Sequence, residues 1–122
     1  MYSTRDIQII KKIKYYCSEI ANDIKRYGDS LNVFKSDGSY YRSVSMSIMQ
    51  IGELSNNLSD EFRKSTADYV PWNAIRGMRN HFAHGYDYMN AEEIFATAED
   101  DIPYLLSKCD KFIEEYDNSL KT

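Results

Sequence analysis

The sequence predicts an all-α fold, a bundle of about four main helices with short accessory helices. Apolar residues recur every three or four positions along the long stretches of the chain, which is the spacing of one face of an α-helix. No stretch alternates apolar and polar residues as a strand does, and no internal repeat is visible. Short polar or glycine-containing segments separate the stretches, as in helical bundles. We expect residues 1–122 to form a single domain.

The first two long helices are marked by caps and by apolar faces. Ser3 and Asp6 are spaced like a capping box, and Gly28 suits the end of the helix that begins there. The inward face of this helix is predicted to carry Ile7, Ile10, Ile13, Cys17, Ile20, Ile24 and Tyr27. After a turn signal at 37–39, we expect Ser39 to cap the second long helix. Its inward face is predicted to carry Tyr41, Val44, Ile48, Ile51, Ser55 and Leu58.

The middle of the chain contains a short helix and then the helix around which the rest is organised. Ser59 is expected to cap a short helix at 60–64, and a polar loop at 65–69 comes after it. Pro71 suits a first helical turn because its missing N–H would have no partner there, and Gly85 suits the position just beyond the last turn. The apolar stripe between them marks the core-facing side and consists of Trp72, Ile75, Met78 and Phe82.

The opposite side of this organising helix carries an unusual set of polar residues. At about 100° per residue, Asn80 and His84 lie nearly opposite the apolar stripe. Arg76 lies beside them, and Arg79 lies at the border between the two sides. Arginine binds phosphate through several donors, and histidine transfers protons near neutral pH. This side of the helix is therefore the candidate functional site.

The final third of the chain predicts two more helical segments. A capping box at 90–93 opens the first, and Pro103 is expected to break or kink the chain near Ile102. One of the aspartates at 100–101 is expected to cap the last helix. The inward sides are predicted to carry Ile94, Phe95 and Ala98 in the first segment, and Leu106, Cys109, Phe112, Ile113 and Tyr116 in the last helix. From Asp117 onward the helix is expected to fray.

Composition places the chain among globular proteins and excludes other classes. Of 122 residues, 43% are hydrophobic and 28% are charged. No apolar run is long enough to cross a bilayer and the first residues lack a signal peptide's apolar segment, so we expect a cytoplasmic protein without membrane contact. The net charge of -4 argues against binding of nucleic acid through a broad positive surface, but it is compatible with a local basic site. Cys17 and Cys109 are expected to be packed free thiols.

The residue types of the candidate site suit one reaction class. His81 and His84 could reach one metal ion, but only Asp87 lies near enough to add a ligand, so we expect no metal and no cofactor. Arginine, asparagine and histidine together suit RNA cleavage, in which the substrate's own 2′-hydroxyl attacks the adjacent phosphate. The alternative is structural: Arg79 pairs with a carboxylate, and His84 and Tyr86 simply finish a helix end.

The segment 79–86 also resembles a known motif. Its polar positions are similar to the R-N-x3-H-x-Y form that defines HEPN domains, and here they are Arg79, Asn80, His84 and Tyr86. The wider context resembles a narrower group within HEPN proteins, the HepT-like toxins. The further matching segments are Gly52-Glu53, Pro71-Trp72, Gly77-Met78 and Asp101-Ile102-Pro103.

This resemblance implies an all-α HEPN ribonuclease that acts on RNA without a metal, as the toxin of a type II or type VII toxin–antitoxin pair. It implies a homodimer whose two motif helices form a shared cleft. It implies catalytic roles for Arg79, Asn80 and His84, to which we add Arg76 and His81 as candidate substrate-binding residues. The implied antitoxin is a minimal nucleotidyltransferase, which in this family can neutralise the toxin by transferring AMP to the motif tyrosine, here Tyr86.

A function from another class remains open. A non-catalytic HEPN module would use the same residues to bind a nucleotide or the nucleotidyltransferase, and it would cleave nothing. The net charge of -4 favours this alternative, whereas the presence of all four motif residues favours the ribonuclease. An RNA cleavage assay separates the two.

Overall fold

The computed structural model of the chain describes residues 2–83 and 91–121, and for residues 79–83 it describes the backbone alone. The described residues form helices and turns with no strand among them, which confirms the predicted all-α class. In chain order the helices are α1 (Thr4–Tyr27), α2 (Leu31–Ser36), α3 (Gly38–Asn57), α4 (Asp60–Thr66), α5 (Trp72–Ala83), α6 (Ala91–Ala96) and α7 (Ile102–Ser119). A π-helical turn, Thr97–Asp101, joins α6 to α7.

The four longer helices, α1, α3, α5 and α7, build the bundle. Helix α1 packs against both α3 and α7, and α3 also packs against α5, while α2 packs against α6. The apolar faces predicted for α1 and α3 are largely confirmed, because most of their residues have no more than 1% of their surface exposed. These fully buried residues are Ile7, Ile10, Ile13, Cys17, Ile20, Val44, Ile48, Ile51 and Ser55.

Both ends of α1 form as predicted. The hydroxyl of Ser3 accepts a hydrogen bond from the backbone N–H of Asp6 at 3.0 Å, which satisfies one free donor of the first turn. At the other end, Gly28 has a φ of 117°, and its N–H donates to the carbonyl of Ile24 at 2.9 Å. A residue with a Cβ would be strained at this φ, so glycine is what allows the chain to turn here.

The start of α3 differs from the prediction. Asp37, not Ser39, caps this helix, because its carboxylate accepts hydrogen bonds from the N–H groups of Ser39 and Tyr40 at 2.9 and 3.2 Å. Serine at 39 therefore lies inside the first turn. The predicted inward position of Tyr41 is also wrong: Tyr40 is fully buried, whereas Tyr41 is half-buried at the edge of the core.

The junction around Pro103 does not break the helical path. The N–H of Ile102 donates to the carbonyl of Thr97, five residues back, so the chain passes through one wide turn and continues as α7. The predicted cap at 100–101 is therefore wrong, since Asp101 keeps helical dihedral angles and makes no side-chain cap. Pro103 lies in the first turn of α7, directly after this wide turn.

Three smaller differences concern helix lengths and faces. Helix α4 extends to Thr66, two residues further than predicted, and α7 extends to Ser119 and does not fray from Asp117. On α7, Leu105 is buried and Leu106 only half-buried. The predicted capping box at 90–93 and the predicted loop at 86–89 lie partly or wholly outside the described residues.

Cys17 and Cys109 are free and fully buried where α1 packs against α7, as predicted. Burial raises the pKa of Cys17 to about 12, with a further contribution from the charge of Asp110. Burial also raises the pKa of Cys109 far above its usual range. Both thiols therefore stay protonated at neutral pH, and their role in the fold is to fill the core.

Across residues 2–83 and 91–121, none of the helices combines the length and the apolar character that crossing a bilayer requires.

Candidate functional site

The start of the organising helix, α5, is fixed by buried contacts with α4. Trp72 is 3% exposed, and its indole N–H donates to the hydroxyl of Thr66 at 2.8 Å. That hydroxyl in turn donates to the carbonyl of Phe62 at 2.7 Å. Because a buried indole needs a hydrogen-bond partner, this chain of two bonds sets the position of the first turn. The rest of α5 therefore extends from a rigid base.

Arg76 lies along the contact between α5 and α3. Its Nε donates to the side-chain oxygen of Asn56 near the end of α3 at 3.1 Å, and one terminal nitrogen lies 3.5 Å from the side-chain oxygen of Asn73. The residue is half-buried. The sequence placed Arg76 on a free polar side, but the structure holds it against α3 by a hydrogen bond, and the described residues engage only two of the nitrogens of its guanidinium.

Asn56 is itself held by a second arginine. One terminal nitrogen of Arg63, in α4, donates to the carbonyls of Ser55 and Asn56 at 3.2 Å each and also to that of Leu58. The other forms an ion pair with Asp60. Arg63 thus satisfies free carbonyls at the end of α3, where a positive charge is favourable. It is a structural residue and not a free cation.

The motif residues lie at the far end of α5 from this base. Arg79, Asn80 and His81 belong to α5 by their backbone, within two turns after Arg76, and their side chains lie outside the described part. His84 and Tyr86 also lie outside the described residues. The structure therefore places the backbone of Arg79, Asn80 and His81 on the same helix as Arg76.

Gly77 leaves open space on α5 between Arg76 and the motif. A Cβ built at this position would have no atom within 4 Å outside its own helix turn. Glycine inside a helix costs roughly 1 kcal/mol relative to alanine, and no close contact within the described chain requires it. Among the described residues, a Cβ at position 77 would therefore meet open space.

A groove of about 580 Å³ lies beside Arg76, between α4 and the first turns of α5. Its charged lining residues are Asp60, Arg63, Lys64 and Arg76. Asp60 and Arg63 neutralise each other, so the excess positive charge comes from Lys64 and Arg76. This is a local basic surface on an acidic chain.

The sequence did not reveal the residues that position Arg76. Asn56 is twenty residues away from it in the chain, and no local pattern marks either Asn56 or Arg63. In the described part of the chain, no three histidine, cysteine, aspartate or glutamate side chains are grouped to hold a metal ion. That part does not include the side chains of His81, His84 and Asp87.

The helical bundle and the sequence motif on and beyond α5 together define a HEPN-type protein. The family model described as Ribonuclease HepT-like matches residues 9–112, which is most of the chain and includes all of α3 and α5. The chain therefore belongs to the HepT-like ribonuclease family. No curated protein and no solved structure matches it significantly.

Proposed function

We propose that this protein is a metal-independent endoribonuclease and the toxin of a toxin–antitoxin pair that acts in the cytoplasm. The observation that carries the proposal is the family match over residues 9–112, which spans the whole R-N-x3-H-x-Y motif. We further propose that residues 1–122 form one HEPN domain. The placement of Arg79 and Asn80 on the same helix as the anchored Arg76 supports a site at this end of the bundle.

The reaction we propose needs a proton carrier and a fixed positive charge. The 2′-hydroxyl oxygen of the RNA attacks the adjacent phosphorus while its proton moves to a base, and the bond to the 5′-oxygen breaks as that oxygen takes up a proton. The products are a 2′,3′-cyclic phosphate and a 5′-hydroxyl. His84 transfers the protons, Arg79 stabilises the charge on the phosphate, and Asn80 orients the site by hydrogen bonds.

Arg76 and His81 are the proposed substrate-binding residues. Arg76 is supported by its geometry, because the bond to Asn56 fixes the guanidinium while leaving other donors for a phosphate. Lys64 adds a second positive charge in the same groove. The proposal for His81 rests on its place in the motif segment alone.

We also propose that two copies act together. One chain has a net charge of -4, and a small set of cations on one helix binds RNA weakly. Two motif helices near a two-fold axis would place twice the number of cationic groups in one cleft. The open surface beside Gly77 supports close approach of a second helix on this side of α5.

The proposed antitoxin is a minimal nucleotidyltransferase that transfers AMP to Tyr86. The added phosphate would carry negative charge to the arginines of the site and would compete with RNA for them. The adenine would also occupy space in the cleft. Membership of the family supports this regulation, and the sequence offers Tyr88 as a nearby second tyrosine.

Incubation of the purified protein with RNA in EDTA tests the ribonuclease directly. We expect cleavage products that carry cyclic phosphate, and we expect His84→Ala and Arg79→Ala each to abolish cleavage while the helical circular dichroism stays unchanged. His81→Ala is the matched histidine control and should retain part of the activity. Full activity in His84→Ala would refute the assignment of His84.

The second candidate function is a HEPN module that binds a nucleotide or the nucleotidyltransferase and does not cleave RNA. The net charge of -4 favours it. The EDTA assay separates the candidates, since wild-type protein that binds the nucleotidyltransferase but never cleaves RNA would support the module.

A further inference from the structure

A cluster of two tyrosines and two lysines lies on the surface where the 67–71 turn meets α7. It consists of Tyr69, Tyr104, Lys108 and Lys111, and we call it the tyrosine–lysine cluster. The ammonium group of Lys108 lies 5.7 Å from the ring centre of Tyr69 and 5.3 Å from that of Tyr104. That of Lys111 lies 5.5 Å from the ring centre of Tyr69. Thirty-five residues separate the two tyrosines in the chain, so the fold creates the cluster.

The rings are both exposed and held in place. Tyr69 is 50% exposed and Tyr104 is 49% exposed, which is unusual for large side chains that the core could have covered. The hydroxyl of Tyr104 donates to the backbone carbonyl of Tyr69 at 2.7 Å. This bond ties the Tyr104 side chain to the turn that carries Tyr69.

The lysines are available to an anion. Within residues 2–83 and 91–121, neither ammonium group has a carboxylate at ion-pair distance, unlike Lys14, which pairs with Asp110 at 2.7 Å. The acidic residues near the cluster in the sequence are Asp68, Asp100, Asp101, Asp110, Glu114 and Glu115. Of these, Asp110 pairs with Lys14, and Glu115 accepts a hydrogen bond from the hydroxyl of Tyr2 at 3.1 Å. The cluster thus combines two ammonium groups that make no ion pair within these residues with two exposed aromatic rings.

An apolar cleft of about 200 Å³ opens beside the cluster, between α5 and α7. Its lining includes Ile75 and Met78 of α5 and Tyr104 of α7, so Tyr104 belongs to both the cleft and the cluster. A cavity of roughly 150 Å³ accommodates one benzene molecule, so this cleft has room for the ring of a nucleobase. Asp101 is the one charged group among the described lining residues, and its carboxylate can accept a hydrogen bond from a base amino group.

The cleft leads toward the motif. Ile75 lies in the cleft, and Arg79 occupies the helical position one turn later, about 6 Å further along the axis of α5. A nucleotide bound in the cleft would therefore be a near neighbour of a phosphate bound at the motif. The tyrosine–lysine cluster adjoins the same cleft through Tyr104, so the RNA strand could continue from the cleft onto the cluster.

We propose that the cleft and the tyrosine–lysine cluster bind the single-stranded RNA that flanks the cleavage point. A base stacks on Tyr104, which lines the cleft, and Lys108 and Lys111 bind the adjacent phosphates. Aromatic faces combined with lysines are typical of single-strand binding surfaces, whereas protein interfaces are depleted in lysine. The proposal rests on the proposed ribonuclease function for its substrate, but it concerns binding and not the cleavage step.

The test measures binding of RNA that cannot be cleaved. A short, fluorescent 2′-O-methyl RNA oligonucleotide lacks the attacking hydroxyl, so its anisotropy reports affinity even in an active enzyme. We expect Tyr104→Ala to weaken binding about fivefold or more, the range seen when stacking on one base is lost. Tyr104→Phe, which keeps the ring and loses the hydroxyl, should bind within about twofold of wild type. Tyr15→Ala, at a tyrosine that is 58% exposed on α1, is the matched control and should bind normally.

A second variant tests the lysines without touching the rings. We expect Lys108→Ala to reduce the slope of log affinity against log salt concentration by about 0.7, the value for one phosphate contact on a single strand. Lys12→Ala, at an exposed lysine on α1, should leave the slope unchanged. A purely structural role for Lys108 would not change the slope.

Several results would overturn the proposal. One is unchanged affinity for RNA in both Tyr104→Ala and Lys108→Ala. Another is an equal loss of RNA affinity in Tyr104→Ala and Tyr104→Phe. A third is that these variants lose binding to a nucleotidyltransferase but keep their binding to RNA. The proposed nuclease fails separately: absence of cleavage by wild-type protein, with Tyr104-dependent binding retained, would refute the ribonuclease and leave this site standing. Normal cleavage by Tyr104→Ala with an unchanged KM would refute this binding site and leave the ribonuclease standing.

Discussion

The carboxylate of Asp6, near the start of α1, accepts two hydrogen bonds from Ser59, one from the backbone N–H at 2.9 Å and one from the hydroxyl at 2.7 Å. The hydroxyl of Ser3 donates a third at 3.0 Å. Asp6 is only 3% exposed. Burial alone would raise its pKa, but the hydrogen bonds from Ser59 and Ser3 outweigh burial and hold the pKa below its usual range. One buried charge therefore ties the start of α1 to the turn before α4.

Asp6→Asn should destabilise the protein by about 1–3 kcal/mol at neutral pH, because an amide cannot accept both bonds from Ser59 as a carboxylate does. The pKa of Asp6 is lower in the folded than in the unfolded chain. Its stabilisation is thus fully present above about pH 4, the unfolded value, and is lost as the pH falls through the folded value. We expect the free-energy difference between wild type and Asp6→Asn to shrink below pH 4 in urea titrations.

Asp68→Asn is the matched control for this measurement, since Asp68 is exposed and lies in the turn after α4. It should change the free energy of unfolding by less than about 0.5 kcal/mol at any pH. A difference between wild type and Asp6→Asn that stays constant from pH 7 to pH 3 would contradict the role given to the ionised carboxylate.

Asn56→Ala should weaken RNA binding in the same way as Arg76→Ala. The hydrogen bond from Arg76 to Asn56 is the contact that fixes the guanidinium against α3, so its loss frees the arginine to move. We expect each single variant to reduce affinity several-fold, and the double variant to be no weaker than Arg76→Ala, as in any pair that acts through one contact. Additive losses in anisotropy titrations would show that the two residues act independently.

Most of the fold could be predicted from periodicity and caps, and the failures have local causes. The start of α3 was misplaced because Asp37 and Ser39 are both good capping residues two positions apart, and only the folded backbone shows that the carboxylate of Asp37 reaches two N–H groups. The same shift changes which of the two neighbouring tyrosines, Tyr40 or Tyr41, faces the core. The π-helical turn before Pro103 has no composition signal, because a wide turn uses the same residues as an α-helix.

The site could be predicted less completely, because its supports are distant in the chain. The motif segment is visible as a pattern within one helix. Asn56, Arg63 and the tyrosine–lysine cluster are not, since each depends on which helices become neighbours. The sequence contains 11 tyrosines, but only the fold shows that two of these rings lie exposed beside lysines.

Light scattering should give a mass twice that of the 14.3 kDa chain at micromolar concentration. Gly77→Gln tests whether α5 lies at the interface: a Cβ at this position has no atom within 4 Å outside its own helix turn, and glutamine favours a helix more than glycine does, so the helix should form normally. The longer side chain would overfill a close helix contact. We expect the dissociation constant of the dimer to rise about tenfold or more. Ala21→Gln, at an exposed position on α1, should leave the dimer intact. A monomeric wild-type protein would contradict the proposed assembly.

Co-expression with a cognate nucleotidyltransferase should add the mass of AMP to the peptide that carries Tyr86. Tyr86→Phe should escape the modification, because the acceptor is the phenol oxygen. Tyr88→Phe is the matched control and should still be modified. Tandem mass spectrometry of both variants identifies the modified position, and modified protein that still cleaves RNA at the wild-type rate would be incompatible with AMP as the inhibitory group.

Where α1 packs against α7, the two buried thiols provide a measurement of opening that needs no engineered label. A thiolate, not a thiol, attacks an electrophilic thiol reagent, and burial keeps Cys17 and Cys109 both protonated and covered in the native state. Modification at neutral pH therefore proceeds through molecules in which these helices have separated. If both cysteines react at one rate, α1 and α7 open as a single cooperative unit, and that rate reports how often the bundle opens in the absence of RNA or a partner.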